Sequence, residues 1–322
     1  SPDKKCRNGK KLSLFLRAGL FGLLRMKENN KALLFTVIAV ASWSTVASAF
    51  KIGLRHYGYF ELILVSAVTA MLIFAGVITV QKKWPLLRRL TLKETGSYAF
   101  TGLLNPAIYY LILFKSYDLL PAQIAQPINY FWPILLALLL AVIEKKPVPL
   151  FKFIGMTISF GGVVLISVGT EGIAGVELSK PGVLLAFFSA FLWASFWIVN
   201  RRNKNVDGIL GLFLSFMFGS VYLSLATLFV PVSLGSLQGF LSAVYVGLFE
   251  MAVPFIFFGL ALQKTTNPAL TNQLCYLSPF ISLFLIHAVL GETIYFTTYM
   301  GLFLIVFGIL LNEYLSKRRV AV

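Results

Sequence analysis

The residue of this sequence best placed to do chemistry is Glu250, which sits inside the apolar run Gly247-Leu248-Phe249-Glu250-Met251. A carboxyl group among Leu, Phe and Met side chains must be protonated, paired, or facing a wet cavity. In such a setting it can take up and release a proton or hold a substrate ammonium group. The purely structural alternative is a protonated Glu hydrogen-bonded to a neighbouring backbone or side chain. Side-chain amides come next. Gln123, Gln126, Asn129 and Tyr130 are spaced by threes and fours, which puts them on or near one helical face. Asn272, Gln273 and Tyr276 repeat that pattern. Such groups can bind a polar ligand or join helices to each other, and both roles stay open here. Trp43 with Ser44, Tyr109 with Tyr110, and Trp193 with Trp197 one turn later supply rings that could enclose an apolar side chain or a cation. Packing is the competing role for each ring.

No catalytic or metal-binding spacing accompanies these residues. The two histidines, His56 and His287, are isolated, and no HExxH, Asp-rich or glycine-rich phosphate motif occurs. Cys6 and Cys275 lie far apart and define neither a disulfide framework nor a metal site. The expectation is therefore no enzyme, no metal and no cofactor.

The elements that position these groups follow from composition. Of 322 residues, 58% are hydrophobic and 12% charged, with a mean hydropathy of +0.83. A soluble domain carries about 25% charged residues, so lipid is the expected solvent. The net charge of +16 does not point to nucleic acid, because Lys and Arg form short runs between long apolar segments. Runs so placed are topology signals and contacts for anionic lipid headgroups.

Ten apolar stretches are long enough to span a bilayer: 33–54, 60–80, 96–117, 122–143, 151–169, 182–199, 209–230, 241–262, 269–290 and 295–315. They are numbered here as spans 1 to 10. With the N-terminus cytoplasmic, all but four of the 28 basic residues fall in inner segments, and Lys51, Arg55, Lys115 and Lys180 fall outside. A miscounted span would scramble that split, so both termini are expected in the cytoplasm. Residues 1–30 form a basic tail whose stretch 12–24 is too short to span and is interrupted by Arg17. That tail reads as an interfacial helix or as sequence foreign to the fold.

The two halves resemble each other. A shift of 146 places Tyr130 on Tyr276, Pro133 on Pro279, Gly155 on Gly301 and Gly162 on Gly308. A shift of 145 aligns Gly102-Leu103 with Gly247-Leu248 and Asn105 with Glu250; one of 150 aligns Trp43 with Trp193. Five spans per half is an odd number, so the second half enters the membrane upside down. The expected fold is all-α integral membrane: ten transmembrane helices as two inverted five-helix repeats, 31–172 and 178–317, around a central cavity. Halves related in this way can exchange conformations and expose a site between them to each side in turn.

The order of landmarks in the second half carries a family resemblance. Leu262-Gln263-Lys264-Thr265-Thr266-Asn267-Pro268-Ala269 is followed by Leu277-Ser278-Pro279-Phe280, then Leu290-Gly291-Glu292, Gly301 and Val306-Phe307-Gly308-Ile309. The first half carries a weaker copy in Tyr117-Asp118-Leu119-Leu120-Pro121-Ala122, Trp132-Pro133-Ile134, Glu144, Gly155 and Gly162, without a Gly before the Glu. Over residues 31–316 the sequence resembles the drug/metabolite transporter superfamily, in its ten-helix EamA-like branch. The resemblance implies a bacterial inner-membrane exporter of amino acids or other small metabolites, with a cavity between helices 1, 3, 4, 6, 8 and 9. Relatives of that fold also move nucleotide sugars or sugar phosphates.

The site set expected on these grounds is Trp43, Ser44, Asn105, Tyr109, Gln126, Asn129, Tyr130, Trp193, Trp197, Glu250, Asn272, Gln273 and Tyr276, with Glu250 the candidate for proton coupling. The expected partners are a small-molecule substrate and membrane lipid, and both monomer and homodimer stay open. A sugar-phosphate antiporter would need cavity cations, for which Lys51 and Lys115 are the candidates. A membrane-embedded enzyme or sensor is the reading from another class.

Overall fold

The computed structural model describes residues 27–119, 125, 128–145, 148–168, 179–202, 206–290 and 296–320. The regular elements among them are all helical. Spans 1, 2, 6 and 7 are the unbroken helices Glu28–Leu54, Tyr59–Val80, Lys180–Arg202 and Gly208–Ala226. Spans 4, 5 and 10 are Trp132–Glu144, Leu150–Val168 and Phe296–Val320. Span 9 is Pro268–Leu274 followed by Leu277–Leu290. Spans 3 and 8 are interrupted. Span 3 passes from Leu92–Gly102 through a π-helical turn, Leu103–Ile108, into Tyr109–Leu119. Span 8 passes from Leu237–Val246 through a π-helical turn, Gly247–Ala252, into Val253–Lys264. Spans 1, 2, 6, 7, 8 and 9 are long and apolar enough to cross a membrane, and spans 4, 5 and 10 hold shorter apolar helices.

Several helices start before the apolar stretch does, because polar caps set their first turns. Span 3 begins at a capping box: Glu94 N donates to Thr91 Oγ1 (3.2 Å) and Thr91 N donates to Glu94 Oε2 (2.8 Å). Asp207 caps span 7 by accepting from Ile209 N and Leu210 N, Ser236 caps span 8 through Gly239 N, and Asn267 caps span 9 with Pro268 next to it. Between spans 2 and 3 lies a short 3-10 turn, Trp84–Arg89. The Trp84 indole there donates to Thr79 Oγ1 at 2.9 Å, and its ring stays partly exposed, as an interface anchor should.

The loops sort onto two ends. At one end Lys264 Nζ meets Glu28 at 2.5 Å, Lys83 Nζ meets Asp207 at 2.5 Å, and Lys152 Nζ donates to Asn267 Oδ1 at 3.2 Å. At the other end Ser233 N donates to Glu61 Oε1 and Tyr57 OH donates to the Leu234 carbonyl. That alternation is the one the basic-residue pattern requires.

Contacts between the halves recur with roles exchanged. A Cβ on Gly162 of span 5 would strike the Gly301 carbonyl and Ile305 of span 10; one on Gly308 of span 10 would strike the Gly155 carbonyl and Ser159 of span 5. Likewise Gly102 of span 3 lies against Ser215 and Gly219 of span 7, while Gly247 of span 8 lies against Ser66 and Thr69 of span 2. Small residues let backbones approach this closely where lipid supplies no hydrophobic drive for helix pairing. The exchange of roles is what a two-fold axis in the membrane plane produces. Spans 5 and 10 therefore clasp each other, while spans 1, 3, 4, 6 and 8 converge on an aromatic centre that includes Trp132, Trp193, Trp197, Phe255 and Phe258.

Candidate functional site

Glu250 stands on the π-turn of span 8, and the sequence explains the turn. Pro254, four residues on, has no N–H to offer the Glu250 carbonyl and disfavours regular helix there. The backbone widens so that Val253 N bonds the Leu248 carbonyl five residues back. The carbonyl left over on Glu250 accepts from the Trp43 indole N–H of span 1 at 3.1 Å. The carboxyl of the same residue accepts from the Tyr110 hydroxyl of span 3 at 3.2 Å. Glu250 is half-buried and Tyr110 buried. Three spans from both halves thus meet at one residue.

Rings pack on both partners of Glu250, Trp43 and Tyr110. Tyr109 lies 4.7 Å from Tyr110 and 4.8 Å from Trp193, ring centre to ring centre. Trp43 sits 6.2 Å from Trp193 and 5.4 Å from Phe258. Trp132 is 6.1 Å from Trp193 and 5.7 Å from Phe258, and Trp197 is 6.1 Å from Trp193 and 4.9 Å from Phe258. Most of these pairs are edge-to-face or tilted, the arrangements that ring quadrupoles favour. A carboxylate beside such rings suits an ammonium group, which both would attract.

Asn105 occupies the matching π-turn of span 3. It precedes Pro106, which disfavours helical geometry at the residue before it, and it takes an extended conformation with φ −152° and ψ 122°. Its side chain is fully buried, with neither amide atom partnered among the described residues. The buried indole N–H groups of Trp193 and Trp197 are also without an acceptor among the described residues.

Of the residues expected at the site, the structure brings together Trp43, Tyr109, Trp193, Trp197 and Glu250. Ser44 is buried and turns its hydroxyl back onto the Val40 carbonyl of its own helix at 2.6 Å. Asn129 donates to Ser189 Oγ at 2.9 Å, joining span 4 to span 6. Tyr130 and Tyr276 pack with Val163 and Ile305 in a separate cluster at spans 5 and 10. Gln273 is turned away from Glu250: Nε2 donates to the Gly155 carbonyl at 2.9 Å and to Ser159 Oγ at 2.6 Å, and Oε1 accepts from Asn312 Nδ2. Asn272 is fully buried with no amide partner among the described residues. Gln123, Gln126, the tail 1–26 and Gly291-Glu292 lie outside the described residues.

Trp132, quoted above only as a family landmark, and Phe258 and Pro254 were not among the residues expected at the site. Pro254 carried a usable signal, a proline four residues after an intramembrane Glu. Asn312 was also missed, because a lone Asn late in a hydrophobic helix has no pattern around it. Apart from this centre, a cavity of about 170 Å³ opens at the basic end, lined by Leu86, Arg89, Leu90, Glu94, Val206, Asp207 and Leu210. None of those residues is among those expected at the site, and Asp207 is already engaged by Lys83 and by the cap of span 7. No group of three or more His, Cys, Asp or Glu side chains that could hold a metal occurs among the described residues.

Residues 30–168 and 180–314 each match the EamA-like transporter family, and the chain belongs to that family. It is 29% identical over 255 residues to the uncharacterized transporter YvbV of Bacillus subtilis (strain 168), covering 77% of this chain and 82% of that protein. It is 25% identical over 267 residues to the uncharacterized transporter YdfC of the same organism, covering 79% of this chain and 82% of that one. The uncharacterized inner membrane transporter YedA of Escherichia coli (strain K12) is 23% identical over 163 residues, about half of each chain. A crystal structure with 19% sequence identity superposes with a TM-score of 0.77 over 90% of this chain and 99% of that one, so the fold is shared. The chain is an integral membrane transporter.

Proposed function

We propose that the protein is a secondary transporter that exports small neutral or zwitterionic metabolites, such as amino acids, across a cell inner membrane by alternating access. Both termini face the cytoplasm, as the placement of basic residues indicates. The observation that carries the reading is the Glu250 carboxyl, held by Tyr110 where the two halves meet, with Trp43 on the carbonyl of the same residue and Tyr109 and Trp193 packed on these two partners. A single carboxyl there can neutralise a substrate ammonium or exchange it for a proton, while the rings accept the substrate's apolar part. Among the described residues, those bonded to Glu250 are Trp43 and Tyr110, with no Lys or Arg, which disfavours phosphorylated cargo. Lys115, one of the two cations considered for such cargo, is exposed on span 3.

The test is a panel of amino acids and related metabolites offered to the reconstituted protein, together with thermal shift on the parent and on Glu250→Gln. The expected outcome is a cargo that stabilises and is moved by the parent, with both effects lost in the variant. Movement of no zwitterion, or equal binding by the variant, would overturn the reading.

A further inference from the structure

Trp43 and Trp193 occupy equivalent positions of the two repeats, as do Glu250 and Asn105. Each tryptophan belongs to one half: Trp43 bonds the π-turn of the other half, and Trp193 packs on Tyr109, the residue that follows the first-half turn. Span 1 packs against Gly247–Ala252, and span 6 packs against Leu103–Ile108. The repeat thus sets a tryptophan-bearing helix of one half against an irregular turn of the other, twice. In this structure an indole clamps only one of the two turns. Trp43 Nε1 donates to the Glu250 carbonyl at 3.1 Å. Trp193 is buried with its indole N–H unmatched among the described residues, and Asn105 is buried with both amide atoms unmatched there.

We propose that Trp43 and Trp193 are positioning residues used in alternation. In the arrangement seen here, Trp43 clamps the Glu250 turn. In the arrangement open to the other side, Trp193 donates to Asn105, at its backbone carbonyl or its amide oxygen, and Trp43 lets the Glu250 carbonyl go. The Glu250 carboxyl rides on that turn, so release of the clamp re-aims it away from Tyr110. This rests on the alternating-access reading and adds which hydrogen bond changes hands.

Two physical arguments support it. An indole N–H can only donate, and a buried donor without an acceptor is a deficiency that a second conformation can repair. Making one clamp while breaking its twin keeps the number of indole hydrogen bonds constant, so the two conformations stay close in free energy apart from the Tyr110 bond that the carboxyl gives up. A carrier needs that closeness if binding of its cargo is to shift the populations.

Trp→Phe keeps a ring and removes the N–H, so it isolates the clamp from the packing. The experiment uses the full chain in lipid with Cys6 and Cys275 replaced by Ser. Spin labels at Arg88 and Thr266 report the separation of the halves at the basic end, and labels at His56 and Gly235 report it at the other end. All four labelled positions are exposed. Trp43→Phe is expected to move the ratio of the two populations about fivefold in one direction, the worth of one ordinary hydrogen bond, and Trp193→Phe about fivefold in the opposite direction. The double variant should return near the parent. Shifts of the same sign in both single variants, or no shift while the parent still shows two exchanging populations, would overturn the clamp exchange and leave alternating access standing. A parent locked in one population under every condition would remove alternating access and the exchange with it.

Discussion

Replacing Gln273 by Leu separates a structural role from a substrate-binding one. Leu has nearly the volume of Gln and none of its polar atoms. The side chain lost is fully buried and makes three hydrogen bonds: to the Gly155 carbonyl at 2.9 Å, to Ser159 Oγ at 2.6 Å, and from Asn312 Nδ2. These bonds tie span 9 to both helices of the span 5–span 10 pair. Interhelical hydrogen bonds in membranes average about 0.6 kcal/mol, so the three together stabilise by roughly 2 kcal/mol. The partners left behind differ in their losses. Ser159 keeps its own donation to the Ile305 carbonyl at 3.0 Å, and Asn312 keeps a 3.2 Å bond to the Lys152 carbonyl. Orphaning the rest adds about 1 kcal/mol, giving an expected loss of roughly 3 kcal/mol. Reversible unfolding in mixed micelles would measure it. A double-mutant cycle with Asn312→Leu should show a coupling of about 1 kcal/mol, because the two amides share one bond. The folded fraction should transport with an unchanged KM, since Gln273 faces Gly155 and Ser159 and not the rings around Glu250. Unchanged stability together with a tenfold rise in KM would refute this and return Gln273 to the substrate path.

Two further expectations follow from local geometry. Gly162→Val should cost about 3 kcal/mol, the upper end of overpacking penalties, because its side chain would strike the Gly301 carbonyl and Ile305. Gly161→Val should be tolerated, since nothing lies within 4 Å of the Cβ it adds, and yields of folded protein compared by size exclusion would show the contrast. At the start of span 3, donation from the Thr91 backbone N–H and hydroxyl holds the Glu94 carboxyl below its ordinary 4.5. A carboxyl depressed on folding stabilises above its unfolded pKa and loses that contribution as pH falls through the folded one. Melting of Glu94→Ala should therefore lag the parent at about pH 7, with the gap closing on acidification below about pH 4. A gap independent of pH would show that the charge is not involved.

Much of the architecture was legible in the sequence because lipid makes the relevant rules strict. Apolar length and the sorting of Lys and Arg pointed to ten spans, and the glycines at 155, 162, 301 and 308 that align the two halves lie on the pair of helices that clasp. Glu250 stood out for the same reason, as an ionisable group that hydrocarbon penalises. The starts of spans 3, 7 and 8 were less visible, since Thr91, Asp207 and Ser236 are ordinary polar residues whose capping role depends on where the backbone turns. The amides were the least legible. Asn129 and Gln273 share helical faces with residues expected at the site, yet each is used to join helices. Spacing along a helix says which side chains point together, while the neighbour they point at depends on how the helices cross. Ser44 shows a further case: a hydroxyl beside Trp43 that turns back onto the Val40 carbonyl of its own helix, as Ser often does in hydrocarbon.

The repeats also account for why the carboxyl sits in one half alone. Duplication provides two interrupted helices, each with a polar residue on its π-turn, but the surroundings of the two turns differ. Glu250 is half-buried and receives the Tyr110 hydroxyl and, at its carbonyl, the Trp43 indole. The shift of 145 that places Asn105 on Glu250 places Tyr110 on Phe255, which has no hydroxyl to give. Phe255 is fully buried and packs edge-on against Trp193 and Phe216. In the arrangement seen here an ionised carboxyl at position 105 would lose its water without gaining a donor, a cost that a neutral amide largely avoids. Asymmetry in the partners, added to the different backbone at the two turns, thus decides which of two equivalent positions can carry a charge.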